Sequence, residues 1–470
     1  MQQLAPMDAS FLYLESPTTP MHVVGVMLLD TEAGEGGYSG DRFEATLHER
    51  LHLMPAFERR LAPVPLHLDH PWWVHDPDVR VGEHFHRVAC PAPGDLRALG
   101  ALVGDIAGRV LDRDKPLWEM WLVEGLATGG AAVVAKMHHA TLYGAAGADM
   151  MAQLLDFGPD GRDVEPRLDD GFPAEQDASA AQMLTTAALH SARLPLRAGQ
   201  TLLGGLKQAG ALGGLVARRA MGGGGGTVGM PFNAPRSSPS GALTRRRDAA
   251  FCAVPFADVK AVKQAFGVKV NDVVLAATTD AVRRYLLDHG VLPGKPLVAS
   301  VPRAVGAGAV AGTDTLGALL IPLPVGEADP VAQLLGLAAD SEASKEMADA
   351  LGNDAVNQAA HLVPPLLFAG GSRLYNRLGL SRLHPPLQSL IVSNMPGPPI
   401  PLWCAGARVA AVWPFGPLLP GSGLNVTVLS NMGNLDVGFL GCPDLVPDLW
   451  DIADAWPGAV GRLLAAARAA

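Results

Sequence analysis

The sharpest pattern along the chain is a pair of short apolar runs. Trp118 to Leu126 (WEMWLVEGL) and Ala131 to His139 (AAVVAKMHH) flank the turn sequence ATGG. Runs of this length are strand-sized, and the short glycine-containing turn between them predicts a β-hairpin. Beyond Gly144 the segment AAGADMMAQLLDF spaces Met150, Met151, Leu154 and Leu155 as one face of a helix. The adjacent histidines His138 and His139 therefore fall where a strand gives way to a loop and a helix, a common position for catalytic groups.

The C-terminal half shows the same alternation of periods. VPFADVKAVKQAFG and VNDVVLAATTDAVRRYLLDHG read as helices, with Asn271 or Asp272 as the N-cap of the second. LVASV, LGALLIPLPV, SLIVSNMPG, NVTVLSN and LDVGFL read as strands. Helices and strands are mixed without strict βαβ alternation, which predicts an α/β protein with mixed sheets.

Between the halves the pattern breaks down. Residues 158–180 are acidic and turn-rich, and residues 181–221 read mostly as a helix that Pro195 should kink or divide. The run Gly222 to Gly226, followed by PFNAPRSSPSG, is a poor sequence for regular structure. The organisation expected is an N-terminal unit, 1–175, a connector, 176–244, and a C-terminal unit, 245–470.

At 470 residues, 49% hydrophobic and 17% charged, the chain has ample material for a core and for more than one domain. Its net charge of -10 disfavours nucleic acid as a general partner. The charge is uneven: Ser191 to Arg247 holds no Asp or Glu, but it holds Arg193, Arg197, Lys207, Arg218, Arg219, Arg236 and Arg245 to Arg247. This belt suits an anionic surface, the phosphates of a ligand, or an ordinary crossover helix. Cys90, Cys252, Cys404 and Cys442 form no CxxC pair, so free thiols are expected and a zinc site is not. MQQLAPMDASFLYLES lacks a basic leader and a long apolar run, and no stretch of about 20 uninterrupted apolar residues appears. The expected location is cytoplasmic, or peripheral to the inner membrane or lipid droplets.

The histidine pair also fits two structural residues in a core. In a strand, neighbouring side chains point to opposite faces, so one histidine should face a cavity and the other should support it. GxSxG and closely spaced cysteine pairs are missing, which removes the sequence signals for serine hydrolase and cysteine-ligated zinc chemistry. Direct transfer, with a histidine base activating an acceptor hydroxyl, needs only one histidine and an oxyanion stabiliser.

Ordered motifs then favour the catalytic reading. MDASFLYLES, RLHLMPAFERRL, HPWWVHDPD, LDRDKPLWEMWLVEGL, HHATLYG, GVKVNDVVLAA, SNMPGP, LNVTVLSNMGNLDVGF and DLVPD follow one another along nearly the whole chain. Together they resemble the bacterial wax ester synthase/diacylglycerol acyltransferase family, within the acyltransferases that share HHxxxDG. The resemblance implies two chloramphenicol-acetyltransferase-like subdomains with mixed sheets and a substrate tunnel between them. It implies an acyl-CoA-dependent O-acyltransferase that esterifies diacylglycerol or a long-chain alcohol, with acyl-CoA as co-substrate and no cofactor or metal. His139 would be the general base and His138 its support. Gly144 would let the chain turn close to the site, and Pro116, Leu117 and Trp118 would shape the acyl tunnel. Asn271 and Asn394 would position substrate or stabilise the oxyanion, against simpler readings as a helix cap and a turn residue.

One position departs from the pattern. HHATLYG carries Tyr143 where the family has an aspartate, which pairs with an arginine of the other subdomain. Aligning the family's VPVSVR pattern with Val301 to Gly306 places Gly306 at the arginine. Loss of both partners avoids a stranded charge, and the expectation is that packing of Tyr143 holds the loop. The alternative is a degenerate relative that binds acyl-CoA or lipid without turnover. A third class, condensation on carrier-bound acyl groups, is disfavoured by PLWE and SNxPGP and by the lack of a carrier domain.

Overall fold

A computed structural model of the chain describes residues 2–32, 37–142, 152–165, 179–193, 226–304, 316–351, 364–380 and 383–469. Tyr143, Gly144 and Gly306 lie outside these residues, as do most of the helix expected after Gly144 and the connector beyond residue 193 with Pro195. Residues 180–193 of the connector are helical, as their spacing predicts.

The expected hairpin forms. Trp118–Glu124 and Ala131–His138 pair antiparallel, from Trp118 opposite Met137 to Val123 opposite Ala132. All eight residues of Ala131–His138 are buried, as a central strand covered on both faces requires. Val133, Ala135 and Met137 belong to one core layer, with Phe43, Leu47 and Trp118. Ala132 and Val134 face a second layer, packed on the helix Leu96–Gly108. The period of two puts Lys136 and His138 on that second face.

Around this hairpin a six-stranded sheet is ordered Trp403–Cys404, Ala407–Phe415, His22–Asp30, Ala131–His138, Trp118–Glu124, Phe85–Ala89. The last pair is parallel and the others are antiparallel. The second six-stranded sheet runs Leu316–Leu323, Leu297–Ala304, Leu390–Met395, Leu424–Asn431, Asn434–Gly441, Asp248–Pro255. Its inner pairings, of Leu390–Met395 with both neighbours, are parallel, so each sheet is mixed, as expected for this α/β fold. Helices Phe256–Phe266, Val270–Asp288 and Leu449–Ala469 cover the second sheet and share its largest core.

Hydrogen bonding does not divide at residue 245. Ala407–Phe415, from the C-terminal half of the chain, pairs with His22–Asp30 in the N-terminal sheet. From there Val412 N donates to Asp436 Oδ2 at 2.8 Å, and Trp413 stacks on Phe251 with centroids 4.3 Å apart. The helix Leu96–Gly108 packs on Asp248–Pro255 so closely that a Cβ at Gly100 would strike Ala249 O. Glycine there permits the two halves to share one apolar layer, containing Leu99, Val103, Phe251 and Trp413.

The cap expected at Asn271 or Asp272 is corrected. Lys269 is the N-cap of Val270–Asp288, and Asp272, one turn in, reaches back to accept from Lys269 N at 2.8 Å. That is the acidic half of a capping box, which spacing alone does not distinguish from a cap.

Candidate active site

The strand carrying the histidines ends at His138, and His139 opens a single 3-10 turn, His139–Thr141. The break in strand geometry releases the two side chains from strict alternation. His139 N donates to Met21 O at 2.7 Å, and His138 N donates to Leu117 O at 3.0 Å. Thr141 Oγ1 donates to His138 O at 2.7 Å. The turn is thus pinned to the chain segments that lead into both neighbouring strands.

His139 is partly buried, and its ring stacks on Phe11 with centroids 4.0 Å apart and planes inclined by 19°. Burial, followed by the proximity of His138, lowers its pKa to about 4, so the imidazole is neutral near pH 7. A hydrogen bond to its own main-chain carbonyl works weakly in the other direction.

His138 is fully buried. Its Nδ1 accepts from Ala140 N at 3.1 Å, so the ring proton sits on Nε2. That Nε2 lies 3.2 Å from Glu15 Oε2. The same oxygen lies 3.4 Å from His22 Nε2, because His22 and His138 are directly opposite in the antiparallel register. Glu15 Oε1 accepts twice from Arg113, at 3.0 Å from Nε and 2.8 Å from Nη2. Burial alone would raise the Glu15 pKa; contacts from His138 and His22 and the charge of Arg113 outweigh it and hold the carboxyl well below its usual range. His22 falls to about 4, chiefly through burial.

Two residues earlier on the same face, Lys136 is completely buried. Its Nζ meets Glu119 Oε2 at 2.8 Å and donates to Arg109 O at 3.1 Å and Ile106 O at 3.3 Å. Those carbonyls end the helix Leu96–Gly108, where a cation is favoured by the helix dipole.

The PLW segment packs beside the histidine turn. Pro116 and Leu117 are buried, and Leu117 shares a small cluster with Leu4, Ala9, Leu12, Leu111 and Ala140 of the histidine turn. Trp118 is sandwiched between Phe57 and His84, with centroids 4.3 and 4.5 Å away, and its indole N–H donates to Phe57 O at 3.0 Å. Asn271 lies in the first turn of its helix and Asn394 near the end of Leu390–Met395, both partly buried. Among the described residues no hydrogen bond joins either asparagine to His139.

Three contributors were not read from the sequence: Phe11, Glu15 and His22. The first two lie inside the quoted MDASFLYLES, on the helix α1, Pro6–Leu14, and at its C-cap. The signal available was a carboxylate at a helix C-terminus, against the helix dipole. His22 gave no local signal.

Two sheets joined by a crossing strand, with a histidine at a central strand end, define a two-lobed α/β acyltransferase-type fold. The wax ester synthase/diacylglycerol acyltransferase from Marinobacter aquaeolei VT8 shares it with a TM-score of 0.69 and 26% identity over 100% of both chains. A starter condensation domain of rhizomide synthetase, solved in complex with C8-CoA, shares the fold at a TM-score of 0.54 and 15% identity, over 100% of this chain and 94% of that one.

The model of the wax ester synthase/diacylglycerol acyltransferase catalytic domain matches residues 4–274, and that of the family's C-terminal domain matches residues 314–462. The chain belongs to the wax ester synthase/diacylglycerol acyltransferase family. A Mycobacterium tuberculosis relative, provisionally named a diacylglycerol O-acyltransferase, is 38% identical over 99% of this chain and 90% of its own. A second from the same species, provisionally named alike, is 35% identical over 94% and 95%. No helix among the described residues is long and apolar enough to cross a membrane.

Proposed function

We propose that the chain is an acyl-CoA-dependent O-acyltransferase that esterifies diacylglycerol or a long-chain alcohol, with His139 as general base. The observation that carries the reading is a neutral imidazole presented from a pinned turn at the end of a central strand. His139 Nε2 takes the proton from the acceptor hydroxyl as the oxygen attacks the thioester carbon of acyl-CoA. The tetrahedral intermediate collapses, the C–S bond breaks, and the proton on His139 passes to the departing thiolate. No acyl-enzyme is required. A depressed histidine pKa favours the second transfer, because the imidazolium is a stronger acid than a solvated one.

Within this reading Pro116, Leu117 and Trp118 set the wall of an acyl tunnel between the subdomains, and Gly144 allows close approach. Asn394 or Asn271 supplies the oxyanion donor. The protein works in the cytoplasm, or peripherally on a membrane or lipid droplet through the basic connector. Equal liposome flotation of the intact protein and a deletion of 200–226 would sink the connector's part.

The test is ester formation from labelled palmitoyl-CoA with diacylglycerol or hexadecanol. Product from the native chain should fall about 10²- to 10⁴-fold in His139→Ala. Tyr143 favours a second reading, a binding protein without turnover. A folded protein that binds acyl-CoA and yields no ester with either acceptor would establish that reading instead.

A further inference from the structure

Resting on His139 as the base, we propose that Glu15 is the positioning residue that fixes the tautomer of His138 and through it the turn that presents His139.

The argument starts at Ala140. Its N–H can donate to His138 Nδ1, 3.1 Å away, only while that nitrogen carries no proton. The other tautomer would set two N–H groups against each other and open the turn. The proton must therefore stay on Nε2, and the group facing it is the Glu15 carboxylate at 3.2 Å. The two atoms are not aligned as a hydrogen bond, but a buried negative charge at that distance still favours the Nε2–H form over its alternative.

The carboxylate is itself held. Arg113 donates to Oε1 and, through Nη2, to Leu12 O at 2.6 Å, which ties the guanidinium to the last turn of α1. The Glu15 and His138 side chains are 7% and 1% exposed, so water has little access to replace either contact. A carboxylate at a helix C-terminus is disfavoured by the helix dipole, so helix stability does not account for its place.

Phe11 and Glu15 are four residues apart, on one side of the helix end. Phe11 stacks on His139 and Glu15 faces His138, so a single element grips both histidines. This bracing involves neither position 143 nor position 306.

Two variants test it. Glu15→Leu removes the acceptor; Glu15→Gln keeps an oxygen that Nε2–H can reach. Glu15→Leu should lower kcat about 10- to 100-fold, the range seen when a metal-bound histidine loses the group that orients it. KM for acyl-CoA should stay within about 2-fold, and Glu15→Gln should recover most of kcat. Imidazole ¹⁵N spectra should show the Nε2–H tautomer of His138 in the native chain and in Glu15→Gln, and its loss in Glu15→Leu. Native kcat in Glu15→Leu, an unchanged His138 tautomer there, or equal losses in both variants would overturn the proposal. If the native chain forms no ester, the assignment of His139 as base fails, and the tautomer spectra alone decide the role of Glu15. If Glu15→Leu does not fold, Arg113→Met, which strips the carboxylate of its cation, should shift the His138 tautomer in the same direction. An unshifted tautomer would overturn the proposal.

Discussion

On either side of residues 143–151, which lie outside the described part of the chain, stands a buried carboxylate, and the two ties differ in kind. At the far end, Asp156 meets Arg50 at 2.9 and 3.1 Å, with both side chains 3% exposed. Asp156 also exchanges two main-chain hydrogen bonds of 2.8 Å with Trp403, fastening the chain to the edge of the N-terminal sheet. At the near end, Glu15 is shared among Arg113 and two imidazoles, one of them next in sequence to His139. A matched pair of opposite charges acts as an anchor. A carboxylate that faces two imidazoles also bears on which ring nitrogen of His138 carries the proton, so it can serve chemistry as well as shape.

The largest expected contrast comes from breaking the anchor. Arg50→Ala leaves a buried carboxylate without its cation and should cost about 3–5 kcal/mol of stability in urea unfolding. The double variant Arg50→Met with Asp156→Leu should regain most of that, because no charge is stranded. A small loss in Arg50→Ala, or no recovery in the double variant, would remove the distinction between the two ends.

Acidification probes the near end next. His22 and His139 have folded pKa values near 4, below the unfolded value of about 6.5. The unfolded chain therefore binds these protons first. The stability due to the neutral rings is present above about pH 6.5 and is lost as pH falls towards 4. Glu15, held low, adds a further loss below the usual carboxylate pKa. Unfolding free energies measured from pH 7.5 down to 4 should fall throughout this window, and His22→Asn should flatten the slope. An unchanged slope would show that His22 does not titrate as its burial requires.

The smallest effect should come from Thr141→Val, which removes the hydroxyl that donates to His138 O at 2.7 Å in a nearly isosteric change. About 1 kcal/mol of stability should be lost, by the same unfolding measurement. A loss as large as that in Arg50→Ala would make the near end a mechanical anchor too.

What the chain made legible follows its local periods. The hairpin Trp118–Glu124 with Ala131–His138, the helices Phe256–Phe266 and Val270–Asp288, and five strands of the second sheet stand where the apolar spacing puts them, while its edge strand Asp248–Pro255 was not read from the sequence. The histidine pair was legible because it sits at an element end, and PLW only through the family resemblance; His139 does begin the turn that closes its strand. Asp272 was misread by one role, since a cap and the third residue of a capping box draw on the same residue types.

The tertiary structure decided the rest. His22 and His138 are distant in sequence and become neighbours only through strand register, which no local pattern encodes. Glu15 reaches them only because α1 folds across the end of that strand pair. Ala407–Phe415 looks like any half-buried strand, and only the packing of Trp413 on Phe251 and of Val412 on Asp436 shows why it leaves its own half for the other sheet. Local spacing specifies an element and the face it buries. Which charged groups meet at that face depends on contacts between distant segments, and so does the pKa that makes a histidine neutral, because burial is a property of the whole fold.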